Sequence, residues 1–412
     1  MNFAILKKLA LGLILLVILF IRLDSYHLTE ASDAIIEHRF SLVRWELKNL
    51  PQKWIHILID SLSGKELSKE DQVKQVYEFL RVAHILENEK TRLKNTPLTR
   101  SGNISLIHEN QLVSEKYIAD LSDIKEKLRP QVEEFIESQL SLTLIEEGLG
   151  YKSRIILPPV DIKLEQPPNV LIISPRNNIQ IIESILLNPD LSDIDKDEIE
   201  NIILRESNLS AIVSNLAGLA TYPSLVSDQD TLRAILQTAA HEWIHNYLIF
   251  KPLGQNFRTS SEMYTLNETI ADLVGRELGD STFARIGGDL DISSNKYKSG
   301  ENRYPVFTEQ MRETRLKVDQ LLNDGEIDEA EEYMKKRWWL LRLGGYKLRK
   351  LNQAYFAFHG MYGEGHASIS PLGNQVKEFR KRFPEVGKFI EAASMISSHE
   401  EFLKILENSS KE

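Results

Sequence analysis

The sequence predicts a helix-rich α+β protein, and three observations support this prediction. Long stretches with apolar residues at every third or fourth position lie on both sides of a shorter region of β-branched runs. That region, residues 151–228, contains Pro158-Pro159 and Pro167-Pro168, and such pairs are typical of turns between strands. Hydrophobic residues make up 42% of the 412-residue chain and charged residues 27%, which is sufficient for a large core.

Composition excludes several classes of function. The net charge is -10, and no basic stripe with interleaved aromatic residues is visible, which argues against a nucleic-acid partner. The chain contains no cysteine, so disulfides, thiolate metal sites and a cysteine nucleophile are all excluded.

The N-terminal segment, residues 1–24, has the pattern of a transmembrane signal anchor. Its apolar run from Phe3 to Leu23 is long enough to cross a bilayer with some tilt. No small-x-small cleavage site follows the run, which favours an uncleaved anchor over a cleaved signal peptide. Lys7 and Lys8 precede the continuous apolar stretch Leu9 to Leu23, so we expect a single-pass protein with a cytoplasmic N-terminus and an extracytoplasmic remainder.

Two helical regions flank the central part of the chain. Residues 25–150 form a predicted helical module, with a helix break expected at Pro130, and it could serve as a stalk, a lid or a substrate-gathering module. Residues 281–412 form a predicted helical C-terminal part that completes a cleft. Within it, residues 286–305 are rich in Gly, Ser and Asn and predict a surface loop.

The central region, residues 151–280, predicts a small mixed sheet followed by a pair of helices. Short β-branched runs alternate with turns up to Leu216, and one helix from Ser192 or Asp193 to Arg205 interrupts them. The first helix of the pair is expected to begin near Ser227 or Asp228 and to end near Phe250. The second contains Thr265 and ends at Gly279.

The pair of helices carries the chemistry. The first contains His241-Glu242-Trp243-Ile244-His245, which reads His-Glu-x-x-His. Positions i and i+4 share one face of a helix, so the two imidazoles could bind one zinc ion. Glu242 would then act as the general base toward water on that ion, which is the arrangement of a metalloprotease.

The second helix contains Glu268 and Asp272 in a Glu-x-x-x-Asp pattern. With both motifs the chain resembles the gluzincin zinc peptidases, the class that includes thermolysin. The resemblance implies that Glu268 is the third protein ligand and that Asp272 orients His241. It also implies a mixed sheet whose edge strand holds the substrate backbone, and the segment from Val213 to Ala220 is the candidate for that strand.

Zinc peptidases also need a hydrogen-bond donor for the tetrahedral oxyanion, and in thermolysin-like enzymes a Tyr and a His supply it. The sequence does not single out one donor. The candidates are Tyr264, Tyr355, His359, Tyr362 and His366.

The sequence therefore predicts a membrane-anchored zinc metallopeptidase that acts on peptides or proteins, with His241, His245 and Glu268 as metal ligands. Two other functions stay open: a non-catalytic scaffold with a structural metal, and a zinc amidase that acts on a cell-wall bond. A simpler role for Glu268 is also open, since it could close a capping box with Thr265. Oligomeric state is not determined.

Overall fold

The computed structural model describes residues 35–46, 48–49, 67–95, 104–150, 155–290 and 304–408. The predicted membrane anchor, residues 1–24, lies outside this range, as does most of the predicted loop at residues 286–305. Among the described helices, none combines the length and the apolar character that a bilayer crossing requires.

The described elements are mostly helices, with two three-stranded sheets. In chain order they are α1 Lys69–Asn95, α2 Ile104–Glu146, β1 Ile162–Leu164, β2 Asn169–Pro175, β3 Glu183–Leu187, α3 Asp193–Ser207, β4 Leu209–Asn215, β5 Gly218–Leu219, β6 Ser224–Val226, α4 Leu232–Leu248, α5 Pro252–Gln255, α6 Ser261–Arg285, α7 Tyr304–Asn323, α8 Ile327–Leu343, α9 Gln353–His359, α10 Leu372–Arg380, α11 Val386–Ser394 and α12 His399–Asn408. The prediction of a helix-rich chain with a small mixed sheet is confirmed.

Several helix boundaries differ from the prediction. Helix α6 ends at Arg285 and not at Gly279. Helix α2 continues through Pro130, where a break was expected. The first helix of the central pair, α4, begins at Leu232 because the side chain of Thr231 caps it by accepting from the Ala234 N–H at 3.3 Å. Ser227 and Asp228 therefore lie in the preceding turn.

The chain divides into two compact units, and each is assembled from separate stretches. Among the described residues, one unit contains residues 168–216 and 313–359 together with those from 35 to 49. The second contains residues 67–167, 217–312 and 360–408. The stretches of the two units alternate along the sequence, whereas the sequence predicts consecutive segments.

The first unit contains the antiparallel sheet β3-β2-β4, and the outer edges of this sheet are covered. On β4, the Val213 N–H donates to Glu200 Oε1 at 2.7 Å, and the Val213 carbonyl accepts from Arg349 at 3.0 Å. On β3, the Leu186 carbonyl accepts from the N–H of Phe40 at 2.9 Å. These bonds occupy backbone groups that another strand would need for pairing.

The second unit contains the mixed sheet β1-β6-β5, in which β1 is parallel to β6 and β5 is antiparallel to it. The outer N–H groups of β1 are also occupied, since those of Ile162 and Leu164 donate to Glu137 and Glu133 at 2.8 and 2.7 Å. Among the described residues, no comparable side-chain bond covers Gly218 of β5. The Leu219 carbonyl of β5 accepts from the Thr221 N–H at 2.8 Å, so in the described part of the chain Gly218 is the β5 residue whose outer side no such bond covers.

The core of the second unit is built around the close packing of α4 against α6. Gly275 and Gly279 lie one turn apart on α6 and face α4. A Cβ added at Gly279 would lie 2.5 Å from both the backbone N and the Cα of Gln237, and one at Gly275 would lie 2.9 Å from the Cβ of His241. The absence of side chains at these positions lets the two helix backbones approach.

Substitution of Gly279 by Ala tests this packing. Ala gains about 1 kcal/mol in helix propensity over Gly. The added methyl group meets backbone atoms of α4, which cannot rotate away, and overpacking of this kind costs about 1–3 kcal/mol. We therefore expect Gly279→Ala to lower the free energy of unfolding, as measured by denaturant titration. Ser281→Ala, an exposed change on the same helix, is the control, and a stabilised Gly279→Ala variant would contradict the packing argument.

Candidate metal centre

Helix α4 presents His241 and His245 on one face, while its other face is fixed in the core. Trp243 is 2% exposed, and its indole N–H donates to the Pro158 carbonyl at 2.8 Å. Asn246 is also buried, and its side-chain amide donates to the Thr221 carbonyl at 3.2 Å. These bonds fix the rotation of α4 about its axis, so the direction of both imidazoles is set before any ligand binds.

Helix α6 carries Glu268 toward the two imidazoles. The helix begins at Ser261, and the Ser260 side chain caps it by accepting from the Met263 N–H at 3.2 Å. Thr265 and Glu268 therefore lie inside the helix, and the alternative in which they form a capping box is wrong. The Glu268 carboxylate is instead directed at His241 and His245.

Three atoms converge at this centre. The Nε2 atoms of His241 and His245 lie 3.0 Å apart, and the Glu268 carboxylate oxygens lie 3.7 Å from the first and 3.6 Å from the second. Ligands at about 2.0–2.1 Å from a tetrahedral ion are about 3.3–3.4 Å from one another. The three residues, all largely buried, could thus hold one metal ion.

Burial and the charges of neighbouring side chains set the protonation of the three residues at this centre. Burial lowers the pKa of His245, but the negative charges of Glu268 and Glu242 outweigh burial and raise it to about 9. Burial and the neighbouring charge of His245 lower the pKa of His241 to about 4. Burial also raises the pKa of Glu268, but the charge of His245 outweighs it and holds that pKa below its usual value. Without a metal, His245 and Glu268 therefore form an ion pair beside a neutral His241.

Asn267 is a residue of this centre that sequence reasoning missed. It is 2% exposed, its Nδ2 donates to the Leu253 carbonyl at 3.5 Å, and its Oδ1 is buried without a hydrogen-bond partner. A side-chain interaction with His245, outside hydrogen-bond geometry, nevertheless helps to raise the pKa of that imidazole. An imidazole that binds a metal through Nε2 has its Nδ1–H free to donate, and a buried amide oxygen is a suitable acceptor. The orphaned oxygen therefore fits a metal at this centre.

Asp272 makes a different contact from the predicted one. Its Oδ2 accepts from Arg276 Nη1 at 2.7 Å, and Arg276 Nη2 donates to Glu364 at 2.6 Å. The His241 ring instead donates to the backbone carbonyl of Ala271, a contact that opposes the lowering of the His241 pKa. In the structure, Asp272 thus belongs to an ion-pair network next to the centre, and its direct contact with His241 stays a prediction.

Glu242 lies beside the three ligands and is 6% exposed. It faces Gly218 of β5 so closely that a Cβ at position 218 would collide with the Glu242 carboxylate. Burial raises the pKa of Glu242 to about 8, with the charge of His245 opposing the rise and that of Glu268 adding to it. A carboxyl group with a pKa near neutrality can both accept and return a proton.

Two of the five candidate oxyanion donors lie close to the charges of the centre. Burial and the negative charges of Glu268 and Glu242 raise the pKa of Tyr264 and of Tyr362. The pKa of His366 is lowered to about 4 by burial and by Arg312, without a contribution from those carboxylates.

The other two candidates, Tyr355 and His359, belong to the first unit, where their rings are 4.2 Å apart. Within the unit that contains the centre, the donors best placed are therefore the two tyrosines, Tyr264 and Tyr362.

Removal of a ligand and removal of its hydrogen-bond acceptor should weaken metal binding to different degrees. Loss of a residue that only orients a ligand typically costs about 10- to 100-fold in metal affinity. We expect that loss for Asn267→Ala and a larger one for His245→Ala, measured by competition with a chromogenic zinc chelator. His399→Ala, which removes a histidine from the last helix, should leave affinity unchanged. Equal affinity in His245→Ala and wild type would rule out the centre.

Metal binding should also release a proton. The pKa of His245 is about 9 in the metal-free fold, so at pH 7 its ring carries a proton that must leave before Nε2 can bind a metal. Apparent affinity should therefore rise about tenfold per pH unit from pH 7 and level off above about pH 9. Calorimetry in buffers of different ionisation enthalpy would measure close to one proton released per ion at pH 7. An affinity independent of pH across this range would show that His245 is neutral and would contradict the ion pair.

Comparison with known proteins finds no matching family model, no matching curated protein and no matching solved structure.

Proposed function

We propose that this protein is a zinc-dependent hydrolase of gluzincin type that cleaves peptide bonds in peptides or proteins. One observation carries the proposal: His241, His245 and Glu268 place their ligand atoms within 4.8 Å of one another, and the buried carboxyl group of Glu242 lies beside them. A structural metal site in a non-catalytic scaffold would not need the carboxyl group of Glu242.

The donor set favours zinc among the common metals. Two imidazole nitrogens and one carboxylate are the ligands of several catalytic zinc sites, whereas magnesium and calcium prefer oxygen ligands. Three protein ligands leave one position of a tetrahedral ion for water or substrate, and a structural site would normally fill it with a fourth side chain. Zinc, when bound here, would lower the pKa of a water molecule and polarise a carbonyl group.

Glu242 would act first as the general base and then as the general acid. Its carboxylate would accept a proton from the attacking water and donate it to the nitrogen of the departing amine. The raised pKa of Glu242 suits both proton transfers, because near neutral pH the carboxyl group can take up a proton from water and release it to the amine.

Tyr264 and Tyr362 would stabilise the oxyanion that develops on the carbonyl oxygen. Their raised pKa values keep both phenols protonated, so each can donate a hydrogen bond to a negatively charged oxygen. Tyr264 lies on the same helix as Glu268, one turn earlier.

The outer side of β5 at Gly218 would bind the substrate backbone. An extended peptide can add to a free sheet edge through main-chain hydrogen bonds. Of the predicted edge segment from Val213 to Ala220, the β4 portion is covered by Glu200 and Arg349, which leaves Gly218 of β5. Gly218 adjoins the Glu242 carboxylate, so a peptide on this edge would pass directly in front of the proposed base.

Attachment to the membrane through residues 1–24, with the catalytic part outside the cytoplasm, belongs to the same proposal. It rests on the apolar run from Phe3 to Leu23 and on the two lysines at its start. A cell-wall amide is a second candidate substrate, because the chemistry of the centre does not depend on which amide is presented.

The decisive experiment compares wild type with Glu242→Gln. Removal of a general base typically lowers the rate about 10²- to 10⁴-fold. We expect this loss in the hydrolysis of an internally quenched peptide library, while zinc content stays at one equivalent. Glu407→Gln, an exposed change on α12, should retain full activity.

Two other outcomes would overturn the proposal. One equivalent of zinc without turnover of any peptide or cell-wall fragment would identify a structural metal site. Cleavage of cell-wall fragments alone would show that the enzyme is an amidase with a non-peptide substrate.

A further inference from the structure

The C-terminal end of α8 exposes a group of large apolar side chains. Trp339 is 54% exposed, Leu340 59% and Leu343 80%. A tryptophan and two leucines that are this accessible and adjacent form a larger apolar patch than single exposed residues do. This end of the helix belongs to the first unit, whereas the proposed catalytic residues belong to the second.

The exposed side chains lie opposite the face by which α8 packs into its unit. Ala330, Met334 and Leu341 are at most 1% exposed and mark the buried face. At about 100° per residue, Trp339, Leu340 and Leu343 occupy an arc of about 100° on the other side of the helix. In the part of the chain that the structure describes, this arc therefore points away from the core.

The residues after the helix return alongside it. The indole N–H of Trp338 donates to the Leu348 carbonyl at 2.9 Å, and the guanidinium of Arg342 lies 4.9 Å from the centre of the Trp338 ring. These contacts hold the segment that contains Lys347 next to the end of α8. The Trp338 side chain is therefore engaged with Leu348 and Arg342, whereas the exposed Trp339 side chain points outward.

Positive charge surrounds the apolar arc. Residues 333–350 contain seven lysines and arginines and no acidic residue, although the whole chain has a net charge of -10. Three of the seven are engaged in ion pairs with acidic residues of neighbouring elements, namely Arg337, Arg349 and Lys350. The other four are exposed: Lys335, Lys336, Arg342 and Lys347. Of these, Lys336 has one weak acidic neighbour, Glu332, at 4.0 Å.

We propose that this α8 surface, which consists of Lys335, Lys336, Trp339, Leu340, Arg342, Leu343 and Lys347, docks on a membrane leaflet that contains anionic phospholipid. Tryptophan partitions into the membrane interface, and leucine side chains enter the boundary of the acyl chains. Lysine and arginine next to them pair with lipid phosphates.

A second copy of the chain is a poorer occupant of this surface. A symmetric dimer would bring the same patch together with itself, and four exposed cations from each copy would face one another. An anionic leaflet satisfies both properties of the surface at once, because it presents negative charge above an apolar layer.

The lack of cysteine in the chain gives a direct test. Leu343→Cys can be labelled with an environment-sensitive fluorophore in the full-length protein, without any competing thiol. Ile194→Cys is the matched control, since Ile194 is 78% exposed and lies in the same unit. Each labelled protein is reconstituted into vesicles of phosphatidylcholine, with or without about 30% phosphatidylglycerol.

We expect the fluorophore at position 343 to shift to the blue in the anionic vesicles and to be quenched by nitroxide groups on the lipid chains, while the one at position 194 remains in water. Raising the salt concentration to about 1 M should weaken the signal, because the phosphate contacts are screened. Reversal of Lys335, Lys336 and Lys347 to Glu should lower the equilibrium constant for docking about a hundredfold or more. Reversal of three other exposed lysines, Lys74, Lys381 and Lys388, should have little effect.

Three results would overturn the proposal. The first is equal exposure of positions 343 and 194 to water in both kinds of vesicle. The second is a blue shift in detergent that grows with protein concentration, which would identify a second copy as the occupant. The third is docking that is unchanged by the triple reversal at the α8 surface.

Discussion

The close approach of α4 and α6 is the constraint on which the candidate centre depends. A metal site made of two imidazoles from one helix and a carboxylate from another requires the helix axes to be near and their rotation to be fixed. Gly275 and Gly279 provide the first condition, since no side chain separates the backbones at these points. The buried bonds of Trp243 and Asn246 provide the second. The ligand atoms of the three residues then lie within 4.8 Å of one another, as binding to a single ion requires.

The sequence predicted those parts of the candidate centre that depend on a fixed spacing of residues along a helix. His241 and His245 share a face on any helix, and the Glu-x-x-x-Asp pattern on the next helix, through its resemblance to the gluzincin peptidases, indicated Glu268 as the third ligand. Apolar periodicity also predicted most helices, since burial of one face is the main determinant of an amphipathic helix.

The features that the sequence did not yield depend on contacts between distant residues. Asn267 has no periodicity or spacing that marks it, and only the fold shows its orphaned oxygen beside His245. Pro130 was expected to end a helix, but packing against the rest of the unit can outweigh the loss of one hydrogen bond. Local rules fail here because the competing interaction comes from another element.

The way in which the units are assembled bears on the synthesis of the chain. The unit that holds the candidate centre includes α10, α11 and α12, so its core lacks three helices until residues 360–408 have been made. The other unit needs residues up to 359 before α9 can pack on its sheet. The first unit can therefore complete its fold only after residue 359 has been made, and the unit with the candidate centre only after residue 408. For such a protein, a truncated product would carry both histidines and the carboxylate yet have no finished core to hold them together.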